Sequence, residues 1–266
     1  MAHTPDAVPA RDEAACDEAV RDDAAPAPAS SAAAPGRRRR VQLPFWASVL
    51  LNVAVALLVV SVVQALWVKV YSVPSGSMEQ TLQVGDRMLV NRTAYPDGVA
   101  ERQDIVVFDA NETWGVDTVG EEGPVEGAVR TFGDLTGIGR SHENALVKRV
   151  IGLPGETVEC CTSQGAVTVG GTPLEEDYLY EDLPFVPGTL DCTTTPRSSR
   201  CFGPVTVPER SMLVMGDHRS NSADSVYQCR GLTAEQAGDC AHFVRDEDVV
   251  GRVFSTVWPP SNWSGH

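Results

Sequence analysis

Polar and apolar positions divide the chain into three unequal stretches. Residues 1–42 are rich in Ala, Pro and Asp and hold almost no large apolar side chains. Such a segment cannot offset the entropy of ordering its backbone, and it reads as a disordered tail ending in the basic run Arg37–Arg40. The second stretch is apolar on every face. No charged residue lies between Arg40 and Lys69, and Phe45–Val68 as a helix spans about 36 Å against a hydrocarbon core of about 30 Å. One membrane-crossing helix is predicted within residues 43–69, with Asn52 and Gln64 as polar interruptions. From residue 70 the pattern changes to short Val-rich runs: RMLVNR, DIVVFD, ALVKRVIG, AVTVGG, SMLVMGD and VVGRVFSTVW. Gly, Pro, Asp or Asn separates them, which is the signature of strands joined by turns, and Gly170-Gly171 marks a hairpin. Residues 70–266 therefore read as a mainly β domain with little helix of its own.

Two stretches resist the strand pattern. Residues 110–144 and 172–200 are long, polar and turn-rich, hence peripheral excursions or loops over a site. NRT, NET and NWS match the glycosylation acceptor pattern, which is short enough to recur by chance.

Charge gives the first stretch a side. Four arginines precede the helix, against Lys69 and Arg87 soon after it, which places the tail in the cytoplasm and the β domain outside. A cleaved signal peptide has a shorter start and an apolar run of only about 7 to 15 residues, so the helix reads as a permanent anchor. The chain carries a formal charge of −15, and residues 69–266 hold 15 Lys and Arg against 29 Asp and Glu. That balance excludes nucleic acid as a partner. Cysteine usage follows the same division: Cys16 is alone in the tail, while Cys160, Cys161, Cys192, Cys201, Cys229 and Cys240 form an even set on the oxidising side. Close spacing suggests Cys192 with Cys201 and Cys229 with Cys240, and other pairings stay open. No paired C-x-x-C zinc pattern is present, so no metal and no cofactor is expected.

Candidate chemistry begins just past the anchor. YSVPSGSMEQTL, Tyr71 to Leu82, carries Ser75 and Ser77. A serine hydroxyl needs a neighbouring base to become a nucleophile. The outer domain offers His142, His218, His242, His266, Lys69 and Lys148. Lys69 ends the predicted anchor and is expected among lipid headgroups. Lys148 lies in ALVKRVIG, where alternation puts Leu146 and Val150 on its own face. A lysine among apolar neighbours loses hydration, which can lower its pKa by about 3 to 5 and free it to act as a base. The competing account is a lysine that snorkels or pairs and keeps an ordinary pKa. Arg149 is flanked in the same way by Val147 and Ile151, so alternation does not choose between the two charges, but arginine does not usefully surrender its proton. A third segment, MGDHRSNSADS from Met215 to Ser225, is either a solvated turn or a scaffold that orients a base.

PSGSM after an anchor, then KRVIGLPGE, then GDHRSNSADS, in that order, resemble the sequence boxes of bacterial type I signal peptidases, Ser-Lys proteases that remove signal peptides from exported proteins. The resemblance covers most of residues 43–258. It implies Ser77 as nucleophile, Lys148 as general base, Ser75 in the oxyanion hole beside the Ser77 NH, and Ser222 as a hydrogen-bond partner orienting Lys148. It implies an Arg149–Asp217 ion pair behind the site, a supporting role for Asp224, and a catalytic domain of coiled antiparallel sheets. Val73, Met78, Leu82, Leu146 and Val147 become candidate walls of a substrate pocket for small side chains. Three departures stand out: Val226 replaces an arginine, so Arg219 or Arg230 must partner Asp224, and His218 and Ser220 replace the more usual Asn and Asp. The endoplasmic-reticulum branch carries a histidine base, so Lys148 favours the bacterial branch.

The implied partners are signal peptides of exported preproteins and membrane lipid, with the chain acting as a monomer. Trp258, Pro259 and Trp263 either rest in the membrane interface or pack as ordinary strand residues. Two other readings compete: a Ser-His-Asp hydrolase using His218 or His242, and an anchored binding domain that has lost catalysis.

Overall fold

The computed structural model describes residues 44–96, 98, 100–110, 114 and 145–266. The tail with Cys16, nearly all of the 110–144 stretch, the NET acceptor and His142 lie outside the described residues. Helix α1, Phe45–Leu66, is 22 residues long, about 33 Å at the usual rise. Its Phe45–Val63 portion has mean hydropathy 2.4 and is unburied, so it is long and apolar enough to cross a membrane.

The helix stops at Leu66, short of the expected boundary at 69. Trp67 N still donates to Val63 O at 2.9 Å, but Trp67 O accepts from Arg92 N at 2.9 Å, and the chain enters strand β1, Val68–Ser72. β1 pairs antiparallel with β2, Arg87–Asn91, in register Val68 with Asn91. Alternation in VKVYS then buries Lys69 and Tyr71. Lys69, expected among headgroups, is instead only 9% exposed, with Nζ 5.1 Å from the Tyr71 ring centroid. Apolar composition does not separate the last turn of such a helix from the start of a strand; pairing with β2 decides it.

The other strands are β3 (Ile105–Asp109), β4 (Ala145–Gly152), β5 (Thr157–Cys160), β6 (Val167–Val169), β7 (Thr172–Pro173), β8 (Phe202–Thr206), β9 (Ser211–Met215), β10 (Val244–Arg245), β11 (Val249–Trp258) and β12 (Ser264–Gly265). Among the described residues they form two antiparallel sheets, one ordered β1-β2-β11-β3-β4-β9-β10 with β12 beside β11, the other β7-β6-β5-β8. Every strand run expected from the sequence is present. Gly170 and Gly171 make the β6–β7 hairpin with φ of 57° and 79°, a conformation that glycine adopts without strain.

Three apolar clusters hold the sheets. One, beneath the segment that follows β1, contains Val73, Met78, Leu82, Val90, Val107 and Val147. A second joins Ile151 and Met215 to Val158 and Phe202 of the smaller sheet and to Val226. The third gathers Val106, Phe108, Val150 and Val214, with Leu146 against it. Leu146 packs against this third cluster, whereas Val73, Met78, Leu82 and Val147 belong to the first. Val73, Met78 and Leu82 are at most 1% exposed, so they form the floor under the site and not an open surface.

Cys192–Cys201 and Cys229–Cys240 are bonded, with Cα separations of 5.5 and 5.2 Å, and Cys160 is bonded to Cys161. The Sγ atoms of Cys161, Cys192 and Cys201 come within 4.8 Å of one another, each already committed to a disulfide. The 172–200 excursion carries only β7 and a Val186–Leu190 bridge. Trp258 and Trp263 are exposed.

Candidate active site

Residues 73–86 form a closed loop: Val73 N donates to Asp86 O at 2.9 Å and Gly85 N returns to Val73 O at 3.0 Å. Within it, Gly76–Met78 makes a short 3-10 turn that buries Ser77 and Met78 while Ser75 stays exposed. Met78 anchors the turn in the core, and Ser77 is thereby fixed above β4.

Lys148 is carried on β4, paired to Val106 of β3. Its Nζ lies 2.6 Å from Ser77 Oγ and donates to Val147 O at 3.2 Å. The side chain is 3% exposed and makes no ion pair among the described residues. Burial strips water from the ammonium and lowers its pKa to about 8, while the more distant charges of Asp224 and Asp217 oppose that shift. A neutral amine beside a serine hydroxyl is the pairing needed to draw off the hydroxyl proton. Ser75 Oγ stands 3.5 Å from Ser77 Oγ, on the open side of the turn.

Arg149, next along β4, meets a different environment. Its Nε donates to Asp217 Oδ1 at 2.8 Å and its Nη2 to Oδ2 at 2.6 Å, a two-pronged pair with Asp217 fully buried. Gln103 O accepts from Nη1 at 3.0 Å, and the Tyr178 ring lies 4.0 Å from the guanidinium carbon. Thr81 Oγ1 donates to Asp217 Oδ2 at 2.6 Å, tying the serine-bearing loop to this ion pair.

The third segment closes the site from the other side. His218 N donates to Ser77 O at 3.0 Å. A Cβ at Gly216 would fall 2.4 Å from Ser222 Oγ and 2.6 Å from Ser77 O, so only glycine fits there. Ser222 is buried, but the expected hydrogen bond to Lys148 is not formed: Lys148 is engaged with Ser77 and Val147, and Ser222 Oγ has no partner among the described residues. Asp224 finds its cation in Arg230, at 2.7 Å, and not in Arg219, which pairs with Glu176. Val226 is fully buried in the second apolar cluster.

Of the site residues expected from sequence, Ser75, Ser77, Lys148, Arg149, Asp217, Ser222 and Asp224 converge here. Thr81, Glu176 and Tyr178 were not anticipated. Tyr178 and Glu176 come from the 172–200 excursion, so this part of it backs the site and does not cover it. No described histidine hydrogen-bonds to Ser77 Oγ. His218 is turned to Glu79 and Glu181, and His242 lies 6.2 Å from the Trp114 ring. That geometry disfavours a Ser-His-Asp arrangement.

Residues 46–258 match the family described as signal peptidase, peptidase S26. A probable signal peptidase I of Mycobacterium leprae is 36% identical over 73% of this chain and 70% of its own length. The signal peptidase I of Mycobacterium tuberculosis is 37% identical over 73% of this chain, and the match spans 66% of that relative, just under two thirds. A solved signal peptidase I from Enterococcus faecalis is 22% identical over 58% of this chain and 96% of its own, with a TM-score of 0.29, too slight a likeness to bear on the fold.

Proposed function

The chain belongs to the signal peptidase family, peptidase S26, and is a peptidase of the type I class, and from this we propose that it removes signal peptides from exported proteins by a Ser77–Lys148 dyad held at the outer membrane surface. The observation that carries the dyad is the 2.6 Å approach of a buried lysine amine to a buried serine hydroxyl.

Neutral Lys148 accepts the Ser77 proton as Oγ attacks the carbonyl carbon of the scissile bond. The oxyanion is held by the Ser75 hydroxyl and the Ser77 NH, each such donor being worth roughly 3 to 4 kcal/mol. Protonated Lys148 then gives its proton to the leaving amine, and water, deprotonated by Lys148, releases the acyl group from Ser77. Ser222 Oγ, buried beside the site without a partner, is free to take up the amine as it moves through these protonation changes.

β9 pairs with β4 only from Arg149 onward, so Ala145–Val147 has no strand partner on that side among the described residues. An extended substrate segment placed there adds a strand beside the dyad. Val73, Met78, Leu82 and Val147 form an apolar floor below Ser77, which suits small apolar residues before the cut. α1 spans the membrane with the arginine-rich tail in the cytoplasm, and exposed Trp258 and Trp263 rest in the interface. Enzyme and substrate confined to one thin layer meet at raised effective concentration.

The test is incubation with an exported precursor, comparing the unaltered chain with Ser77→Ala. Precursor processing should fall by about 10⁴-fold or more, as for loss of a serine nucleophile elsewhere; equal cleavage by both would end the assignment.

A further inference from the structure

We propose that His218 is a positioning residue that fixes the nucleophile turn, so that Ser77 Oγ stays in line with Lys148 Nζ; this rests on the dyad reading above. His218 Nδ1 lies 2.8 Å from Glu79 Oε2 and 3.2 Å from Gly76 O. Both neighbours are acceptors, so Nδ1 carries a hydrogen and donates to them. The ring thus holds the turn on both sides of Ser77, through the residue before it and the second residue after it.

The other side of the ring faces the 172–200 excursion. Nε2 is 3.4 Å from Glu181 Oε2, the Tyr180 ring meets the imidazole edge-on at 5.1 Å, and Glu181 O accepts from Ser220 N at 3.2 Å. His218 is 8% exposed, so the ring is wedged between the excursion and the turn. The Glu79 carboxyl that the ring holds bears directly on the turn: a Cβ on Gly76 would fall 2.9 Å from the Glu79 carboxyl carbon and 3.1 Å from Asn221 Nδ2. Removing the ring frees Glu79 to shift, and Gly76 and Ser77 shift with it. Catalysis tolerates such drift poorly, since about 1 Å of misplacement costs about 10²-fold.

The test uses the full chain in detergent, with kcat and KM measured on an exported precursor for His218→Asn, His218→Gln and His218→Ala beside Ser77→Ala. An asparagine amide nitrogen falls near the place of Nδ1, and a glutamine amide nitrogen near that of Nε2. His218→Asn should stay within about threefold of the unaltered kcat, while His218→Gln and His218→Ala lose about ten- to a hundredfold with KM nearly unchanged. Equal kcat for His218→Asn and His218→Gln, or an undiminished His218→Ala, overturns the proposal. So does a lowered Tm with full kcat per folded molecule, since that is a merely structural role. Should His218→Ala fail to fold, the Asn and Gln pair still decides. Ser77→Ala separates the layers: full activity there sinks the dyad itself, whereas a flat His218 series with inactive Ser77→Ala removes only the role of His218.

Discussion

Lys148 and Arg149 are neighbours on one strand, both buried, and they do opposite things. Arg149 reaches a carboxylate that matches it prong for prong, so its charge is retained and serves to fasten β4 to the third segment. Lys148 reaches a hydroxyl and a carbonyl and no carboxylate, so burial outweighs the more distant charges of Asp224 and Asp217 and moves its pKa to about 8. Desolvation is common to the two; the partner differs. A buried charge with a counter-charge is scaffold, and one without it is a group whose proton can be moved.

Lys148→Met breaks the comparison most severely. It keeps much of the side-chain volume and removes the amine. Precursor cleavage should drop by at least about 10³-fold while the chain still folds. Stability should follow the proton. Between pH about 8 and the ordinary lysine value of 10.5, the unfolded chain holds a proton that the folded chain has released. Folding therefore strengthens as pH rises through that window, and below about 8 the full penalty is present, about 3 kcal/mol. Lys148→Met should accordingly be the more stable protein at pH 7 by denaturant unfolding, with the gap closing as pH approaches 10.5. For the unaltered chain, kcat/KM should fall about tenfold per pH unit below about 8 and level off above it, because only the neutral amine serves as base. A gap that is flat with pH would mean Lys148 is not desolvated in the folded state.

Asp217→Ala converts Arg149 into what Lys148 is, a buried cation without a counter-charge. Arginine does not respond by shedding its proton, so the cost appears as stability: about 3 to 5 kcal/mol, measured by chemical denaturation. A loss under about 1 kcal/mol would show that Arg149 escapes to solvent, and would remove the contrast on which the scaffold role stands.

The sequence carried this contrast only halfway. ALVKRVIG shows two cations in an apolar strand, and alternation gives each an apolar face, but nothing local says which one will find a carboxylate. The answer lies 68 residues downstream at Asp217, and it became legible only through the resemblance of the three boxes. The strands were legible because period-2 apolar runs and their turns are local signals. Contacts made by side chains remote in sequence were not: Glu176 for Arg219 and the Tyr178 ring on Arg149 depend on how loops return to the sheet, while for Asp224 the sequence offered Arg219 or Arg230 and left the choice to the fold, which takes Arg230. The end of α1 was misplaced for the same reason, since β1 exists only because β2 is there to pair with it.

Thr81 is where the two environments meet. It follows the nucleophile by one turn, and its hydroxyl donates to the same Asp217 oxygen that Arg149 Nη2 grips. Thr81→Val keeps the branched shape and deletes that donor. Asp217 retains both prongs of Arg149, so its charge stays matched and the loss should be that of one hydrogen bond to a charged group, about 1.5 to 3 kcal/mol in denaturant unfolding. The nucleophile turn remains held by Met78 in the core and by the His218 NH on Ser77 O, so kcat should change by less than about threefold. A large fall in kcat with little change in stability would reverse the division drawn above: the Arg149–Asp217 pair would then be steering Ser77 through Thr81, not merely fastening the strand beside it.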